Sequence, residues 1–148
     1  MITMTMKRTF AMIAALTVAM ATMAHERPVQ FNQLPSKAQN LITKYFADLT
    51  ILYATYDREV GDNKYEVVFS DGTQIEFNRR GEWRKIDRDR GASVPSSLIP
   101  KAIIAYVEAH FPTMTVEEID FDSREYEVKL SGDVELTFDR KGKLKWYD

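Results

Sequence analysis

The chain has 148 residues, with 20 Lys and Arg against 22 Asp and Glu, a formal charge of −2, and no cysteine. That length suits one ordinary domain with a self-sufficient core. The near-balanced charge argues against nucleic acid as a partner, and the missing thiols exclude disulfides, a cysteine nucleophile and lipid attachment at a lipobox.

Residues 1–24 are read as a secretory signal peptide. Lys7 and Arg8 precede an acid-free, largely apolar run, and small residues at Ala19-Met20-Ala21 or Thr22-Met23-Ala24 offer cleavage sites. The run is too short and wrongly flanked for a stable membrane anchor. Cleavage before His25 removes two cations and no acid, which takes the formal charge from −2 to −4. The expected mature domain, 25–148, is periplasmic or secreted, and without disulfides it must fold on its hydrophobic core.

Residues 25–33 are polar and read as a leader or an edge segment. Leu34-Pro35-Ser36 then opens a helix, where proline in the first turn costs no hydrogen bond. Ala38, Leu41, Ile42, Tyr45 and Phe46 fall on one apolar stripe of it. Residues 50–57, TILYATYD, have the β-branched and aromatic content of a strand. A polar connector, 58–64, follows.

Residues 65–87, YEVVFSDGTQIEFNRRGEWRKID, return at 126–148 as YEVKLSGDVELTFDRKGKLKWYD, with eight of 23 positions identical at an offset of 61. Such repetition decides an architecture before any single element does. Tyr65, Val67 and Phe69 alternate with polar or smaller neighbours, Asp71-Gly72 supplies a tight turn, and Ile75 and Phe77 alternate again. A second turn at 78–81 leads to a last strand at 82–87.

The helix also recurs. At an offset of 65, Pro35, Phe46 and Asp57 fall on Pro100, Phe111 and Asp122, and Ile103, Tyr106, Val107, His110 and Phe111 form the second stripe. The change of offset places four extra residues in 58–64. The expected fold is therefore α+β: two tandem units, 34–87 and 94–148 joined by 88–93, each a helix plus a four-stranded antiparallel meander. Together they would form one eight-stranded sheet with both helices on one face and water on the other.

Chemistry is sparse. His110 lies on the helical stripe and reads as a packed or helix-end histidine; His25 stands at the expected new N-terminus. Glu118, Asp120 and Asp122 share one face of an extended strand and are weak candidates for calcium, although the spacing of a calcium loop is absent. Ser96-Ser97 has no adjacent base and suits helix entry. No nucleophile-and-base pair or phosphate loop is recognisable, so neither an enzyme nor a cofactor is expected.

Function is therefore sought on the open face of the sheet. With Tyr65, Val67, Phe69, Ile75 and Phe77 inward, and Leu52, Ala54 and Tyr56 inward on the first strand, the outward candidates are Ile51, Tyr53, Thr55 and Val68. Trp83 and Trp146 take core parity, and Tyr147 faces out unless a bulge reverses it. Ile51, Tyr53, Thr55, Val68 and Tyr147 are the expected partner-binding residues. An aromatic and aliphatic group in a polar surround is what a protein-binding patch looks like, although packing under the 58–64 connector would explain it equally well.

The Leu-Pro and Ile-Pro helix openings, the YEV strand, the Asp-Gly turn and the F-x-R-x-G block, all doubled behind a signal peptide, resemble the PepSY-like, β-lactamase-inhibitor-like family of exported bacterial proteins. The resemblance covers 34–148, with Gly132-Asp133 inverting the turn order in the second copy. It implies an open sheet face that grips another exported protein, a peptidase or other envelope enzyme, as inhibitor or regulator. No inhibitory residue of the β-lactamase inhibitor has a matching position, so that target is an analogy of fold only. The alternative is an envelope sensor or carrier of a small ligand or metal ion.

Overall fold

The computed structural model describes residues 26–59, 62–89 and 91–147. The expected signal peptide and His25 lie outside the described residues. Among those described, nine strands form one antiparallel sheet in simple chain order: β1 (Glu26–Val29), β2 (Ile51–Glu59), β3 (Asp62–Phe69), β4 (Gln74–Asn78), β5 (Trp83–Asp87), β6 (Val116–Phe121), β7 (Glu125–Leu130), β8 (Glu135–Asp139) and β9 (Leu144–Tyr147). Helix α1 (Ser36–Tyr45) precedes β2, and α2 (Lys101–His110) precedes β6. No described helix is long and apolar enough to cross a membrane.

The sheet has one strand more than the eight expected. Residues 26–29 add β1 to the edge beside β2, pairing Glu26 with Asp57 and Val29 with Ala54. Its Pro28 lacks an N–H, which an edge strand tolerates and a central strand does not. Most of the polar connector 58–64 also joins the sheet, since among its described residues Arg58 pairs with Asn63 and Glu59 with Asp62, extending β2 and β3.

Both helices lie on one face, as the apolar stripes require. From α1 come Ala38, Ile42 and the capping Phe46; from α2 come Ile103 and Val107. They meet Val67, Phe69, Ile75, Phe77, Ile86, Ile119, Val128, Leu130, Leu136 and Phe138, all 2% exposed or less. Each such burial contributes about 1.5–3 kcal/mol relative to exposure. His110 is exposed at the end of α2, stacked 4.1 Å from the Tyr106 ring with Nδ1 3.0 Å from the Tyr106 carbonyl. That is a helix-end role.

The F-x-R-x-G block acquires a reason here. Gly81 and Gly142 end two hairpin turns at φ +84° and +81°, and each tip abuts the first turn of a helix. A Cβ on Gly81 would stand 2.7 Å from Pro35 Cβ and 3.0 Å from the Ala38 amide, and one on Gly142 would stand 2.7 Å from Ala102 Cβ. Positive φ and overpacking act together at these two positions. Gly81→Ala and Gly142→Ala should each lower stability by about 2–4 kcal/mol in urea unfolding. A loss under about 1 kcal/mol would mean that the tips do not brace the helices.

Candidate functional site

The face away from the helices is organised by strand register. Directly opposed residues point to the same side of an antiparallel sheet. One row crosses all nine strands: Pro28, Thr55, Glu66, Glu76, Lys85, Asp120, Glu127, Thr137 and Trp146. A second, adjoining row runs Tyr53, Val68, Gln74, Asp87, Glu118, Lys129 and Glu135. The first row sets four carboxylates against one ammonium.

Ion pairs distribute unevenly over it. Glu118 is held from both sides, 3.2 Å from Lys85 Nζ and 3.7 Å from Lys129 Nζ, and Lys64 reaches Glu76 at 3.6 Å. Glu66, Asp120 and Glu127 have no ion pair among the described residues. Burial raises the Glu66 carboxyl above its ordinary range, with Glu76 and Glu26 adding to the effect. Burial raises Asp120 as well; Lys85 opposes the shift and Glu127 reinforces it. Desolvation pulls the Lys85 ammonium down, but Glu118, Glu76 and Asp120 together outweigh it and the net direction is up.

Of the expected binding residues, Tyr53, Thr55 and Val68 do sit in these rows. Tyr53 is 52% exposed; Val68 is buried between its neighbours on the same face. Ile51 is a correction: a bulge between Ile51 and Tyr53 sets it opposite Phe69 and packs it on the core, leaving Leu52, expected inward, 62% exposed. At β9, a register shift beside Thr137 brings Trp146, expected in the core, into the open row at 57% exposure. Tyr147 instead pairs with Leu136 at the backbone, and its side chain lies outside the described residues. Trp146, Asp120, Glu127 and Thr137 line a depression of about 170 Å³.

The suggested metal row does not converge. Glu118 is engaged by two lysines, and Asp122 Oδ1 accepts the Arg124 and Glu125 amides at 2.9 and 3.0 Å. Among the described residues no three acidic or histidine side chains are grouped to hold a metal. Alternation marked part of this face, but the ladder of Glu66, Glu76, Lys85 and Glu127 emerges only when every register is known.

Because Glu66 and Asp120 bind protons more tightly folded than unfolded, their ionisation opposes folding. Their contribution to stability is present below the unfolded-state pKa and is lost as pH rises through the raised folded values. Glu66→Gln and Asp120→Asn should therefore raise the melting temperature at neutral pH. Solvent screening should limit the gain to about 1–2 °C, and it should vanish below about pH 3.5. Thermal melts across pH check this, and a variant less stable at pH 7 than at pH 3 relative to the parent contradicts it.

Residues 63–145 match the family described as putative beta-lactamase-inhibitor-like, PepSY-like. Among solved structures, a putative calcium-regulated periplasmic protein from Bacteroides thetaiotaomicron is 37% identical, with a TM-score of 0.80 over 83% of this chain and 96% of its own. A putative periplasmic protein from Bacteroides vulgatus is 33% identical, with a TM-score of 0.81 over 84% and 98%. Another from that organism, of unknown function, is 30% identical, with a TM-score of 0.78 over 83% and 98%. No curated protein matches the sequence. By the match over 63–145, this chain belongs to the PepSY-like, beta-lactamase-inhibitor-like family.

Proposed function

We propose that this chain is an exported, non-enzymatic protein-binding module that engages another exported protein, a peptidase or other envelope enzyme, through the open face of its sheet, as inhibitor or regulator. The observation that carries this reading is the uncovered face itself. Tyr53 and Trp146 stand exposed toward opposite ends of a row system rich in charge. Aromatic anchors within a polar surround are the anatomy of a protein interface. Export is supported by the signal-like residues 1–24 and by the periplasmic neighbours. Descent of the two halves from one repeated unit is supported by bulges at matching places, beside Leu52 and Glu117 and beside Arg84 and Lys145.

The test is capture from an envelope extract of the source cells on immobilised protein. Tyr53→Asp with Trp146→Asp should reduce recovery of any enriched exported enzyme at least about tenfold, the scale of losing hot-spot aromatics, with an unchanged melting curve. Undiminished capture by the folded double variant would remove the open face from consideration.

A calcium-responsive role is the second reading, favoured by the description of the B. thetaiotaomicron neighbour. Here the acids near Glu118 are tied to lysines and turn amides, which speaks for the first reading. A ligand at 100 times its Kd stabilises the native state by about 2.7 kcal/mol. The melting temperature should therefore be the same in millimolar Ca²⁺ and in chelator, and a rise of several degrees with calcium would reverse the preference.

A further inference from the structure

The β4–β5, β6–β7 and β8–β9 turns gather at one end of the sheet, beside the β2–β3 hairpin. Between them lies a cleft of about 640 Å³ whose lining sets Arg79, Arg80, Arg84 and Arg140 against two carboxylates, Asp62 and Glu82. In a chain of formal charge −2 this is a local reversal of sign. None of the four arginines makes an ion pair among the described residues.

Their carriers are fixed in place. Asn78 Oδ1 accepts the Arg80 and Glu82 amides at 2.9 and 3.0 Å, and Asp139 Oδ1 accepts the Lys141 and Lys143 amides at 2.9 Å each. These bonds rigidify the turns bearing Arg79, Arg80 and Arg140, and they engage Asp139 with backbone amides rather than with a guanidinium. Arg84 is the residue skipped by the β4–β5 pairing, which passes from Glu76–Lys85 to Phe77–Trp83. Its guanidinium lies 6.0 Å from the centroid of the Phe121 ring, at the same cleft. Bulges commonly re-aim a side chain in this way. Past Arg79 an adjoining cleft adds Arg27 and Arg58 against one carboxylate, Glu26.

Guanidinium forks match phosphate oxygens bidentately, and a preorganised set loses little entropy on binding. We infer that this cleft binds a ligand carrying two or more clustered phosphate groups, on a surface separate from the open face and independent of the proposed function. A soluble polyphosphate and a phospholipid headgroup layer share that chemistry. The purified protein is titrated with tripolyphosphate by calorimetry, and separately sedimented with vesicles of phosphatidylglycerol in phosphatidylcholine. Saturable binding to at least one probe is expected, weakening steeply between about 50 and 200 mM salt. Arg80→Gln with Arg140→Gln should weaken it about tenfold or more, whereas Lys44→Gln with Lys101→Gln, the same charge loss on the helices, should change it by less than about twofold. Binding of vesicles only identifies a membrane headgroup as the source, and binding of tripolyphosphate only identifies a soluble one. No saturable binding to either, or equal loss in the two double variants with melting curves intact, overturns the assignment.

Discussion

The architecture depends on one-sided cover. Two ten-residue helices rest on one face of a nine-stranded sheet, held by the burial of their apolar stripes and met at their first turns by hairpin tips. Gly81 under Pro35 and Ala38, and Gly142 under Ala102, allow an approach that any Cβ would block. With helices braced on that side, the apolar members of each strand are fixed inward. Most alternate side chains face the open side, where Val68 and Thr137 are buried among their neighbours, charge is cheap and an apolar group is exposed at a cost.

Much of this was legible in periodicity. The stripes of both helices, and the inward parity of Val67, Phe69, Ile75 and Phe77, follow from spacings of 3.6 and 2 that the core enforces. The places where the reading slipped are the bulges. A single unpaired residue inverts the parity of what lies beyond it, so Ile51 turned in, Leu52 turned out, and Trp146 came into the open row. Alternation within one strand carries no trace of a skipped partner. β1 was legible only as one of two readings, leader or edge segment, for another reason: Glu26, Arg27, Pro28 and Val29 show no periodicity, and only the free edge of β2 gives them a place.

Charge is segregated by the same geometry. Carboxylates concentrate along the open row, where Glu66, Asp120 and Glu127 stand without ion partners among the described residues, while arginines concentrate at the hairpin end. Intramolecular pairing of these sets would have favoured folding; their separation leaves both half-desolvated acids and unneutralised guanidinium groups. Fields of opposite sign on different surfaces of one small domain act on partners more than on the fold.

The β-bulges at Arg84 and Lys145 connect these surfaces to the core. Without the skip at Arg84, Lys85 would oppose Ile75 inside the core, and Ile86, now fully buried, would oppose Gln74 in water. That bulge is therefore demanded by folding, and the outward turn of Arg84 accompanies it. The bulge at Lys145 has the opposite balance. Unbulged, Trp146 would oppose Leu136 on the helix side; as built, its indole is 57% exposed beside Thr137. Burying such a side chain is worth about 2 kcal/mol or more. The strand forgoes this and holds the indole beside a row of acids, which gives the β8–β9 end of the open face the exposed aromatic on which the proposed contact rests.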